Sequence, residues 1–255
     1  MLLLLQDRVA IVTGASSGIG RAAARLFATQ GAKVVVTARR ERELETLVDE
    51  IDRTGGTAVA VPGDIRSEET AEALVRTAQE RFGGLDIAFN NAGSIPERAP
   101  VPDLSLQGWH DAIATNLTSA FLGAKHQIPA MLARGRGSLI FTSTFVGHTV
   151  GFPGMGAYAS AKAGLIGLTQ VIAAEFGSRG IRANALLCGG VNTPMGRSVA
   201  NTPEPLAFVQ GLHALKRIAQ PDEIAQTALH LASDQASFVT GTALLVDGGV
   251  SISRT

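Results

Sequence analysis

Tyr158 and Lys162 stand four residues apart in an alanine-rich run, Ala157 to Phe176, whose composition and spacing predict one long helix. Side chains four apart lie on the same helix face, so the phenol and the ammonium are neighbours. A free phenol ionises near pH ~10, and a nearby ammonium favours the phenolate. The pair is therefore a tunable proton donor and acceptor, as reversible carbonyl reduction needs. Tyr158 is also the only tyrosine in the chain. A tyrosine packed at a helix start beside a surface lysine would look the same in isolation. The company the pair keeps separates the two readings.

The first companion is Thr13-Gly14-Ala15-Ser16-Ser17-Gly18-Ile19-Gly20, between an apolar strand (Arg8 to Thr13) and a helix (about Gly18 to Gln30). Glycines let the backbone turn sharply and approach a pyrophosphate, and the helix N-terminus presents N–H groups and a positive dipole to the anion. The spacing is Gly-x-x-x-Gly-x-Gly rather than Gly-x-Gly-x-x-Gly. Strand, glycine loop, helix and second strand together read as a dinucleotide site. The second strand ends at Ala38 and is followed by Arg39-Arg40. A carboxylate there would bind ribose hydroxyls. Two guanidiniums suit the 2′-phosphate of NADP instead, and arginine at a helix start opposes the helix dipole, which points to a ligand. NADP(H) is thus the preferred cofactor, with NAD(H) second. Asp64-Ile65, after the third strand, is either an adenine contact or an aspartate turn. Asn90-Asn91-Ala92-Gly93 closes the fourth strand, either as a surface for the dinucleotide or as a simple turn.

The elements that must position these groups alternate. Strands are predicted at Arg8–Thr13, Lys33–Ala38, Thr57–Val61, Leu85–Phe89, Ser138–Ser143, Arg182–Leu187 and Ala243–Val246, with helices between them. Such alternation means parallel crossovers and a doubly wound α/β sheet. Ser67 is the expected N-cap of a helix reaching Phe82, with Glu68 and Glu69 in its first turn. No linker divides the 255 residues, so residues 1–255 are read as one dinucleotide-binding and catalytic domain. Ser94–Ser105 and Asn192–His213 fit no element and follow strand ends, where open α/β sheets bind ligands. The second is read as a substrate-loop insertion near 192–214.

Composition excludes several classes. Lys+Arg and Asp+Glu both total 22, so no charge excess points to nucleic acid or to an anionic membrane. Five histidines and one cysteine show no metal-ligand spacing, and no metal is expected. A single thiol, Cys188, fits a reducing cytoplasm. Met1 to Leu5 is too short for a signal core and runs into Gln6-Asp7-Arg8. No apolar run approaches the ~20 residues of a membrane helix.

From Arg8 to about Gly249 the chain resembles the short-chain dehydrogenase/reductase family. The resemblance is carried by Thr13-Gly14 with Gly18-Ile19-Gly20, Asn90-Asn91-Ala92-Gly93, Asn116, and Tyr158 with Lys162; Ile181-Arg182-Ala183-Asn184 and Asp247-Gly248-Gly249 add to it. It implies a single-domain, Rossmann-like, seven-stranded parallel sheet in the order 3-2-1-4-5-6-7. It implies Tyr158 as general acid in reduction and general base in oxidation. Lys162 would bind the nicotinamide ribose and lower the Tyr158 pKa, and Asn116 would hold a water linking Lys162 to solvent. Gly14, Ser16, Ser17, Gly18, Ile19, Asp64, Ile65, Asn91, Ala92 and Gly93 would line the cofactor site. The family's hydroxyl after the fifth strand is usually serine; here Thr144 aligns, with Ser143 in reserve. Where the family has Pro-Gly after the sixth strand this chain has Cys188-Gly189, a change expected to loosen the loop. Val191 and Thr193 would still reach the carboxamide. Pairing of the long helices implies a homodimer or homotetramer.

The expected function is hydride transfer between NADP(H) and a small carbonyl compound or secondary alcohol. The alternative is a silent dinucleotide-binding regulator on the same fold, which should lack Tyr158 or Lys162. An isomerase or dehydratase with tightly held cofactor lies between the two. Phe145, Phe152, Met155, Met195 and Phe208 in the loops suggest an apolar or mid-sized substrate.

Overall fold

The computed structural model describes residues 3–253. Met1 and Leu2, which open the apolar N-terminal stretch, lie outside the described residues, as do Arg254 and Thr255. The strands are β1 (Val9–Thr13), β2 (Lys33–Thr37), β3 (Thr57–Ala60), β4 (Ile87–Asn90), β5 (Gly137–Thr144), β6 (Ile181–Cys188) and β7 (Ala243–Val246). They form one seven-stranded sheet in the order β3-β2-β1-β4-β5-β6-β7, and every pairing is parallel.

Helices α1 (Gly18–Thr29), α2 (Glu41–Arg53), α3 (Glu68–Phe82), α4 (Leu106–Ile113), α5 (Ser119–Arg134), α6 (Gly156–Phe176) and α9 (Pro221–Ala232) flank the strands; α7 (Pro194–Val199) and α8 (Pro203–Leu212) lie between β6 and α9. The sheet is covered on both faces, which is why its strands are apolar runs rather than alternating ones. Side chains still alternate between faces. Val12, Val34, Val36, Phe89 and Leu186 pack with Phe27, Leu44, Leu47, Ile224 and Leu229 of α1, α2 and α9. Val9, Ile11, Val35, Leu139 and Phe141 pack with Leu74, Ile128, Met131, Leu165 and Ile172 of α3, α5 and α6.

Ser67 caps α3, its hydroxyl accepting from the Thr70 N–H, and Gly83 closes the helix in the left-handed region at φ 84°. Two predicted segments differ from expectation. The helical region from Leu106 is broken by a π-helical turn at Ala114–Thr118, which holds Asn116. The stretch 192–213 is not irregular: Pro194 and Pro203 each open a short helix, at the position where a missing N–H costs nothing. Among the described residues no helix is long and apolar enough to cross a membrane.

Candidate active site

Leaving the sheet centre, the chain runs from β1 to β2 on one side and from β4 to β5 on the other. The loops after β1 and β4 therefore part, opening a crevice at the C-terminal strand ends. A cleft of about 1890 Å³ lies there. It is lined by Gly14, Ser16, Ser17, Gly18 and Ile19 after β1, Arg39 and Arg40 after β2, Asp64 and Ile65 after β3, and Asn91, Ala92 and Gly93 after β4. Thr144, Tyr158, Lys162, Gly189, Val191 and Thr193 line its other half. Asn116 sits behind it, sharing a cavity of about 20 Å³ with Lys162.

The glycine loop is held from beneath. The Thr13 hydroxyl accepts from the N–H groups of Asn91 (2.9 Å) and Ala92 (3.0 Å), and the Asn91 amide donates to the Thr13 carbonyl at 3.1 Å. The Thr142 hydroxyl donates to Asn91 Oδ1 at 3.1 Å, joining the ends of β1, β4 and β5. Gly14 has φ +70°, and a Cβ there would stand 2.9 Å from Ala92 Cα, so only glycine fits. Ser17 is the α1 N-cap, and the first turn of α1 carries no acidic residue, so its positive end faces the cleft unneutralised.

Lys162 is buried, and its Nζ donates to the Thr142 carbonyl at 2.7 Å and lies 6.0 Å from the Tyr158 ring centre. Gly93 makes room for this group: a Cβ would stand 2.7 Å from Asn116 Oδ1 and 3.1 Å from Lys162 Nζ. Asn116 accepts from the Ser94 N–H (3.1 Å) and donates to the carbonyls of Ser94 (2.9 Å) and Ala112 (3.0 Å), which fixes its side chain. Burial pushes the Lys162 ammonium down to about 8, against a smaller opposing pull from Cys188. Burial also raises the Tyr158 phenol, and the Cys188 sulfur adds to this. In the chain alone, desolvation thus outweighs any lowering of Tyr158 by Lys162.

The two candidate hydroxyls differ in their commitments. Ser143 Oγ donates to the Lys162 carbonyl at 2.9 Å, tying β5 to α6. Thr144 Oγ1 makes only long contacts, to the Cys188 carbonyl (3.4 Å) and from the Val146 N–H (3.3 Å).

Arg40 reaches back to the glycine loop, donating to Ser16 Oγ (2.8 Å) and Ser17 Oγ (3.1 Å) and pairing with Glu43 at 3.4 Å. Arg39 is exposed on the cleft wall. Asp64 is gripped by Arg66, whose Nε and Nη2 donate to it at 3.0 and 2.6 Å. The Arg66 hydrogen bonds hold that carboxyl below its ordinary range against partial burial.

A family model described as Enoyl-(Acyl carrier protein) reductase matches residues 14–251. The chain is 39% identical over 242 residues to cyclohexanol dehydrogenase of Acinetobacter sp. (strain SE19), covering 95% of this chain and 94% of that protein. It is 42% identical over 250 residues to the A-factor type gamma-butyrolactone 1′-reductase (1S-forming) of Streptomyces virginiae, covering 98% and 97%. A solved structure described as an NAD(P) dependent gluconate 5-dehydrogenase from Beutenbergia cavernae, with NADP bound at low occupancy, superposes with a TM-score of 0.92 at 35% identity, covering 99% and 100%. The chain belongs to the short-chain dehydrogenase/reductase family. It is an oxidoreductase of that family, acting on the CH–OH group.

In this short-chain dehydrogenase the loop after β6 is not loose, contrary to the expectation from its missing proline. The Gly189 N–H donates to the Val246 carbonyl (3.1 Å), the Asn192 N–H to the Ala219 carbonyl (2.8 Å), and the Gly190 carbonyl accepts from the Ala219 N–H (2.8 Å). These partners lie far along the sequence, so the loop's neighbours could not reveal its order. Burial pushes the Cys188 thiol up to about 12, against the Lys162 charge. Sequence reasoning missed Arg66 and His213. Both line the cleft, and neither belongs to a motif with a chemical signature. At the surface, Glu68, Glu72 and His126 come together, with Lys125 paired to Glu68.

Proposed function

We propose that this enzyme transfers hydride between NADP(H) and an apolar ketone or secondary alcohol, with Tyr158 as general acid in reduction and general base in oxidation. The observation that supports the reading is that Tyr158, Lys162 and Thr144 line the same cleft, with Lys162 Nζ 6.0 Å from the Tyr158 ring centre and Asn116 behind Gly93. The cleft fits a dinucleotide: Gly14, at φ +70° and packed against the Ala92 backbone, lets the loop turn tightly, and the open N-terminus of α1 suits a pyrophosphate. Gly14, Ser16, Ser17, Gly18 and Ile19 hold that pyrophosphate, Asp64 and Ile65 the adenine, and Asn91, Ala92 and Gly93 the dinucleotide backbone. Gly189, Val191 and Thr193 seat the carboxamide. When bound, the dinucleotide supplies the hydride.

Tyr158 supplies the proton. Burial keeps its phenol protonated before reaction, and the ammonium of Lys162 stabilises the phenolate that transfer leaves behind. Thr144 donates to the substrate oxygen, because its hydroxyl is weakly held where that of Ser143 is committed. Asn116 and Lys162 share a cavity large enough for about one water, a route by which the proton is replaced. Arg39 and Arg40 bind the 2′-phosphate, Arg40 from its place beside Ser16 and Ser17.

Phe145, Val146 and Met155 pack with Ile95, Phe152 and Val250 around Tyr158, and Phe145 and Phe152 meet edge to face at 5.8 Å. This apolar wall, with the likeness to cyclohexanol dehydrogenase, favours cyclic ketones and alcohols. Residues 1–255 act as one domain, with 192–214 as the substrate loop, in a cytoplasmic homo-oligomer. Phe121 on α5 and Val171 on α6 are about half exposed and offer a dimer or tetramer its contact. A panel of cyclohexanone, a keto sugar and a β-ketoacyl thioester, scored by NADPH absorbance, tests the reading. Cyclohexanone should be reduced fastest, and no turnover of any ketone would overturn it.

A further inference from the structure

His213 follows α8 and is 2% exposed. Its Nδ1 lies 2.8 Å from the Val209 carbonyl, and its Nε2 lies 3.0 Å from the Gly190 nitrogen. A carbonyl only accepts and an amide N–H only donates, so the ring must carry its proton on Nδ1 and keep Nε2 bare. His213 is therefore a neutral imidazole donating to the last turns of α8 and accepting from the loop after β6. The approach depends on glycine: a Cβ on Gly190 would stand 3.0 Å from His213 Cε1. The surrounding backbone closes the junction. The Leu215 N–H donates to the Gly248 carbonyl (3.2 Å), joining the loop after β7, and the Lys216 N–H to the His213 carbonyl (3.0 Å).

We propose that His213 is a positioning residue for the dinucleotide: beside the backbone bonds to Val246 and Ala219, it is the side-chain clamp that helps order the 189–193 loop in the absence of a proline and couples that loop to α8. The inference rests on the proposed reading of this loop as the carboxamide seat. Its consequence is directional. If Nε2 takes a proton, two N–H groups face one another and the Gly190 bond is lost. The loop then loses one of its ties to the substrate helix, and dinucleotide binding weakens as pH falls. The charged groups around the ring are few. Residues 189–193 and 206–212 contribute none. Asp247 stands beside it after β7, already accepting from the N–H groups of Gly249 (2.9 Å) and Ser251 (3.0 Å). From the following turn come Lys216, whose ammonium donates to the Gly211 carbonyl, and Arg217, which pairs with Glu223 at 2.7 Å.

The test compares the full chain with His213→Gln, which keeps an accepting oxygen near the Nε2 position and does not titrate, and His213→Leu, which removes the acceptor. Backbone hydrogen exchange without dinucleotide reads the clamp, and NADPH titration by fluorescence reads the seat. In His213→Leu the 189–193 segment should exchange faster and NADPH should bind about five- to tenfold more weakly, the worth of one hydrogen bond. His213→Gln should bind like the parent near neutral pH. As pH falls, only the parent should lose affinity through this site, leaving a flatter profile in His213→Gln. Parent-like exchange of 189–193 in His213→Leu would overturn the clamp, whatever the binding shows. An acid limb in His213→Gln as steep as the parent's would overturn it too, and that measurement stands even if His213→Leu fails to fold. A parent chain that binds no NADPH at any pH would instead overturn the functional reading.

Discussion

Lys162 is held charged where the fold least accommodates charge, and replacing it by methionine should expose that cost. The side chain is 4% exposed, and burial brings its ammonium down to about 8 from the ordinary 10.5. At roughly 1.4 kcal/mol per tenfold of proton affinity, keeping the charge inside costs the fold about 3 kcal/mol at neutral pH. The folded chain holds this proton less tightly than the unfolded chain. The cost is therefore fully present below about pH 8 and fades as pH rises from about 8 towards 10.5. Lys162→Met removes the charge at similar volume but leaves the Thr142 carbonyl without its donor, which offsets about 1 kcal/mol. The variant should be about 2 kcal/mol more stable than the parent at pH 7, worth ~4–8 °C in Tm, and about equal to it near pH 10. Urea unfolding of both chains at the two pH values measures this difference. An equal stability difference at both pH values, or a parent more stable than the variant at pH 7, would refute the reasoning. A stabilised, inactive Lys162→Met would show that the ammonium is retained against the interests of the fold.

Tyr158→Phe should lose at least ~100-fold in turnover while NADPH still binds, because only the proton donor is removed; near-parental turnover would remove Tyr158 from the mechanism. Thr144→Ala should slow the reaction and Thr144→Ser largely preserve it, whereas Ser143→Ala should act through stability by freeing the Lys162 carbonyl; kinetics and thermal melting separate the two. Arg40→Ala should weaken NADPH by roughly tenfold and NADH little, since a partly exposed charge-assisted contact contributes ~1–2 kcal/mol. Ala38→Asp combined with Arg39→Ala should reverse the preference, and the parental preference should shrink at high salt; equal NADPH and NADH dissociation constants in the parent at low salt would contradict the arginine assignment. Light scattering should find a dimer or tetramer at micromolar concentration, and a monomer there would leave Phe121 and Val171 without a partner.

Much of the fold was legible because its signals are local. The alternation of β-branched runs with helical spacing predicts a parallel doubly wound sheet, and the observed order 3-2-1-4-5-6-7 matches the family resemblance. Ser67, with Glu68 and Glu69 behind it, marked the start of α3, since a cap depends on residues three apart. The 192–213 segment was not legible as helix. Three prolines, Pro194, Pro203 and Pro205, interrupt it, and α7 and α8 are too short to carry a periodic apolar face of their own. The π-helical turn around Asn116 was equally hidden, because one inserted residue hardly alters an apolar pattern.

The sequence by itself determined the chemistry on offer: a phenol and an ammonium one helical turn apart, a glycine loop before a helix, and two arginines where a carboxylate would favour NAD. Those are properties of residue type and short spacing, which the chain carries wherever it folds. Only the tertiary structure decided which groups are free to act. Ser143 and Thr144 are adjacent hydroxyls, and it is the Lys162 carbonyl, nineteen residues away, that engages one and leaves the other loosely held. Arg39 and Arg40 are adjacent guanidiniums, and the return of the glycine loop brings Ser16 and Ser17 to the second. His213 becomes a clamp only because the 189–193 loop passes within a hydrogen bond of it. Burial and hydrogen-bond commitment come from long-range packing, and short spacing along the chain does not encode them.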